Sequence, residues 1–136
     1  MKILKYILLI ALTLTVLPTE AKRLKTNKVY MFGFSASFKD STIYVTDIQN
    51  VPEAWIDTKT KFLLGRDNYS YQLKNYLTDK LNMPNRVCMV FFGMSKKKAE
   101  KEYLKLMKKY KKGYEVRYLN SGEFKFEAVD MSPDNQ

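Results

Sequence analysis

Hydrophobic and polar positions change period several times along this chain, and each change marks an element. Residues 28–38, KVYMFGFSASF, and 41–48, STIYVTDI, are dense in aromatic and β-branched side chains, as strands are. Lys39-Asp40 between them suits a two-residue hairpin turn. Strand alternation puts Tyr30, Phe32, Phe34, Ala36 and Phe38 on one face, and Val29, Met31, Gly33, Ser35 and Ser37 on the other. The first set suits packing beneath helices. The second shrinks toward its end, which would let a neighbouring element approach near Gly33 or leave that face to water.

Asp67 is placed to cap a helix running to about Asn82, with Leu73, Tyr76, Leu77 and Leu81 on one face and Pro84 stopping the run. Residues 86–94, RVCMVFFGM, are almost continuously apolar, the pattern of a strand buried on both faces. Ser95 caps a second helix over 96–112 that ends before Gly113. Segments 114–119 and 123–129 read as a final hairpin around Asn120-Ser121-Gly122. Residues 49–66, broken by Pro52 and closed by Gly65, read as an irregular connection with room for one short strand. Residues 22–28 read as a loose lead-in and 131–136 as a polar tail. The order β-β-α-β-α-β-β predicts an α+β fold: a two-layer domain with a mixed sheet and both helices on one face.

The start of the chain follows a different logic. In MKILKYILLIALTLTVLPTEA, Lys2 and Lys5 precede an apolar run from Tyr6 to Leu17, Pro18 breaks it, and Thr19-Glu20-Ala21 ends in a small-x-small pattern. Residues 1–21 therefore read as a secretory signal peptide. The run of 12 residues is shorter than the ~20 of a membrane-spanning helix. Cleavage near Ala21 would leave residues 22–136 as a single domain, exported to the periplasm or beyond the cell, with no transmembrane helix. Cys88, the only cysteine, lies within an apolar run and reads as a small buried hydrophobe.

Composition then narrows the chemistry. With no histidine and one cysteine, Ser-His and Cys-His pairs cannot form, and zinc has almost no ligands. The acids are scattered, without a calcium-loop spacing, and the five glycines stand too far apart for a nucleotide-binding loop. No cofactor, metal or catalytic residue is predicted.

Three motifs come close and fail. Ser95-Lys96-Lys97-Lys98 matches the S-x-x-K of serine β-lactamases, but lysine saturates this helix and the companion K-T-G is missing. Glu123-Phe124-Lys125 has a nuclease-like E-x-K spacing that any strand face can produce. Phe32-Gly33-Phe34 aligns with the middle of the RNA-recognition aromatic strand, yet Phe38 falls one residue late, and export also argues against nucleic acid.

Charge is the remaining signal. Residues 22–136 carry 22 Lys+Arg against 13 Asp+Glu, a net +9, and residues 96–112 alone hold nine Lys and two Glu, or +7. On that helix Ala99, Tyr103, Leu106, Met107 and Tyr110 form an apolar stripe, and lysines fill the rest. Lysines near its end suit the negative pole of the helix dipole. Lys96, Lys97 and Lys98 crowd the positive pole, which an anionic partner would relieve. Ser95, Lys96, Lys97, Lys98 and Lys101 are thus candidate anion-binding residues, with lipid phosphates, acidic glycans and acidic proteins as the partner classes. Solvated lysines on an amphipathic helix are the plainer reading. A carboxylate-dependent hydrolase or transferase would have to draw on Asp40, Asp47, Asp57 and Asp67. A subunit of an envelope complex could use Trp55 and Tyr71 as contact residues.

VYMFGFSASFKDSTIYVTDIQ, with KTKFLLGRDNYSYQL and VRYL, resembles small exported hypothetical proteins of the Bacteroides type over nearly the whole of residues 22–136. The resemblance implies export and a bacterial envelope setting. It implies no activity and no site residues. The expectation is a basic exported α+β domain with a non-catalytic binding or accessory role, its oligomeric state open.

Overall fold

The computed structural model describes residues 22–133, so the segment read as a signal peptide lies outside the described residues. Its elements are β1 (Arg23–Thr26), β2 (Val29–Ala36), β3 (Thr42–Thr46), β4 (Gln49–Val51), β5 (Ala54–Asp57), α1 (Arg66–Asp79), β6 (Val87–Gly93), α2 (Lys96–Tyr110) and β7 (Glu115–Leu119). The mixed α+β class and, in outline, the element order are those the sequence predicts.

β2 is the spine of a five-stranded sheet. One edge pairs antiparallel with β6 over its whole length, from Tyr30↔Gly93 to Ala36↔Val87. The other edge is shared by β3 and β4. Between Phe34↔Val45 and Met31↔Gln49 the returning chain advances one residue more than β2, which makes a bulge. The Gly33 N–H fills the gap by donating to Thr46 Oγ1 at 2.8 Å. β7 then adds in parallel to β3. β6 and β7 thus form opposite edges of the sheet, and α2 is the crossover between them.

The helices lie on opposite faces, which corrects the one-face arrangement. β2 is apolar on both sides, so each side needs a cover. Phe32 meets Tyr103 of α2 edge-on at 5.2 Å, and Phe34 meets Tyr110 at 4.9 Å. On the other side Val29 and Met31 join Tyr69, Leu73 and Leu77 of α1 in the main core. Gly33 belongs to that second face, where a Cβ would stand 2.7 Å from Leu73 Cδ2. Its missing side chain lets α1 approach.

Other boundaries also move. β6 is an edge strand whose Val87 and Met89 are about half exposed, its full burial falling on the later Val90 and Gly93. The lead-in pairs as β1 with β5, from Arg23↔Asp57 to Thr26↔Ala54, so residues 49–66 hold two short strands. Helix α1 starts behind Gly65 (φ 72°) with no side-chain cap, and Asp67 sits in its first turn instead.

The expected last hairpin does not form, since residues 123–129 pair with no strand. They cross the α1 face, burying Phe124 and Phe126 against Tyr76 and Tyr69. Two glutamines replace a strand as the hydrogen-bonding partner. Gln49 donates to Phe124 O (2.9 Å) and accepts from Phe126 N (2.9 Å). Gln72 treats Glu127 the same way, donating to its O (2.8 Å) and accepting from its N (2.9 Å).

Candidate anion-binding helix

The start of α2 is built by a tight strand-to-helix turn. Ser95 is extended (φ −147°, ψ 155°), and its Oγ accepts the Lys98 N–H at 3.2 Å, the N-cap that the sequence predicts. A Cβ on Gly93 would lie 2.9 Å from Ala99 N and 3.0 Å from Lys98 Cβ, so the first turn rests directly on the end of β6. Ala99 is the contact point and is fully buried. Tyr103, Leu106, Met107 and Tyr110, half-buried, complete the docked side.

This docking fixes where the lysines go. Lys96, Lys97, Lys98 and Lys101 are all exposed, and no acidic residue shares the first turn. Among the described residues the ion pairs are Arg86–Asp40 and Arg117–Glu115, and neither involves α2. Four positive charges therefore stand together near the positive pole of the helix. Lys96, Lys97 and Lys98, in the first turn, each cost about 0.3–1 kcal/mol relative to a neutral side chain there, whereas Lys101 lies in the second turn, beyond most of that effect. Ser95 Oγ, engaged by a backbone N–H, is held as a cap, so the S-x-x-K likeness is accounted for by helix capping.

The remaining candidates are dispersed. Trp55 lies on β5 with Lys25 Nζ 5.8 Å from its ring centre, whereas Tyr71 is exposed on α1. Of the carboxylates, Asp40 pairs with Arg86 at 3.2 Å. Asp57 accepts from Lys59 N and Thr60 N in a turn. Asp47 accepts from Gln49 Nε2 and Ser121 N, and it borders a cleft of about 320 Å³ with Asn50 and Lys125. Asp67 borders a different cleft, of about 350 Å³, shared with Ser70, Tyr71, Lys74, Arg86 and Cys88. Each of these clefts holds one of the four aspartates, so the pool does not converge in either. Glu123 accepts from Asn120 N in another turn. Among the described residues no group of three metal-ligating side chains is placed to hold an ion, and no helix is long and apolar enough to cross a membrane.

Arg86 carries a structural role that no sequence pattern marks. It is nearly fully buried, donating to Ser35 Oγ, Asp40 and Thr42 O while stacking over Tyr44 at 4.9 Å. These bonds tie the β2–β3 hairpin to the start of β6. Its neighbour Cys88 is a half-buried free thiol. Burial pushes its pKa up, against smaller downward pulls from the Ser35 hydrogen bond and from Lys74 and Arg86. A raised pKa keeps it protonated and poorly nucleophilic at neutral pH. No protein-family model, curated protein or solved structure matches the chain.

Proposed function

We propose that this is an exported, non-catalytic binding protein of a bacterial envelope that contacts an anionic partner through residues 96–112, which form a helix only as far as Tyr110 and leave Lys111 and Lys112 beyond its end. The observation that carries this reading is the exposed group Lys96, Lys97, Lys98 and Lys101, which has no ion-pair partner among the described residues. The helix is anchored through its apolar side, so the charges are presented on a fixed support. An anion there would gain Coulomb attraction and relieve the repulsion among the lysines.

Lys96, Lys97 and Lys98 changed together to Glu should abolish salt-sensitive retention on an anionic matrix. All three side chains are exposed, so the fold should survive the change. Retention equal to that of the unaltered protein would sink the reading.

A further inference from the structure

An apolar cleft of about 280 Å³ opens where α2 ends, lined by Phe34, Ala36, Phe38, Met89, Tyr110 and Tyr114. Phe38, at the tip of the β2–β3 hairpin, is 98% exposed. Val87, Met89 and Tyr114 around it are each more than 40% exposed. Scattered exposed hydrophobes need no explanation, but a group around one cleft marks a contact surface.

The charge beside this cleft that has no ion-pair partner among the described residues is positive. Lys39 follows Phe38, Lys109 Nζ lies 5.5 Å from the centre of the Tyr110 ring, and Lys111 and Lys112 separate Tyr110 from Tyr114. The acids that adjoin the patch are already engaged, Asp40 by Arg86 and Glu115 by Arg117. We infer that this end of the molecule docks on an anionic lipid bilayer, with Phe38 entering the headgroup–acyl boundary and the lysines meeting lipid phosphates. This rests on the anion-binding reading and narrows its partner to a lipid surface.

Two features favour a bilayer over other occupants. A ring projecting wholly into solvent beside lysines matches the pairing of apolar insertion with phosphate attraction that holds proteins at membrane interfaces. A second copy of the chain would bring two surfaces of the same strong positive charge together.

The test is co-sedimentation with phosphatidylcholine vesicles, with and without phosphatidylglycerol, beside retention on the anionic matrix. The unaltered protein should bind only the phosphatidylglycerol vesicles. Phe38→Ser should weaken that binding about tenfold or more while leaving matrix retention unchanged. Vesicle binding unaffected by Phe38→Ser overturns the inference. Matrix retention without vesicle binding also overturns it, assigning the helix to a soluble anion and leaving the broader reading intact. Self-association lost in Phe38→Ser overturns it in favour of a second copy. Failure to bind either matrix or vesicles removes both readings together.

Discussion

Gln49→Leu should lower the unfolding free energy by about 2–5 kcal/mol, although leucine nearly matches glutamine in volume. The Gln49 amide serves the backbone on either side of Lys125, accepting from Phe126 N and donating to Phe124 O. Gln49 is 6% exposed, Phe124 7% and Phe126 3%, so water has little access to either backbone group. Leucine would leave both without their partner, and each orphaned group costs about 1–3 kcal/mol. Gln72→Leu removes the same pair of bonds from Glu127, which is exposed and can turn to water, so its cost should stay near ~1 kcal/mol. Urea unfolding separates the two through the midpoint at unchanged slope. Equal, small shifts for both would show that the segment is not held by Gln49.

Gly93→Ala should cost about 1–3 kcal/mol and move the start of α2. The added methyl would meet the backbone nitrogen of Ala99 at 2.9 Å and Lys98 Cβ at 3.0 Å. Backbone cannot rotate aside as a side-chain tip can, so the first turn has to lift from β6. That turn carries Lys96, Lys97 and Lys98, so the variant should also bind the anionic matrix differently from the unaltered protein. Thermal unfolding measures the first effect and retention the second. A melting temperature unchanged by the alanine would refute the close approach.

The parts of this fold that are legible in the sequence are those set by local pattern. Ser95 followed by a stripe at Ala99, Tyr103, Leu106, Met107 and Tyr110 describes α2 and its cap closely. The alternation through Tyr30, Phe32 and Phe34 matches the facing of β2. What is not legible depends on distant partners. Gln49 and Phe126 lie 77 residues apart, and an isolated glutamine carries no mark of the backbone it will bind. With a right-handed crossover, the face that α2 covers is set by the strand order that puts β6 and β7 at opposite edges, which no residue pattern within the helix records. A continuous apolar run suggests a strand buried along its whole length, yet β6 lies at an edge and leaves Val87 and Met89 half exposed. At the candidate site, the lysine group and its cap are readable from spacing alone. The role of Gly93 is not, because it depends on how closely two elements pack.

The most direct test of the lysine helix as the binding surface is residue-by-residue labelling of lysines by a small acylating reagent, with and without an anionic matrix bound. The account predicts protection concentrated in residues 96–112, while exposed lysines elsewhere, such as Lys25, Lys59, Lys80 and Lys125, label at the same rate in both states. Protection spread evenly over all the lysines, or centred outside 96–112, would contradict it.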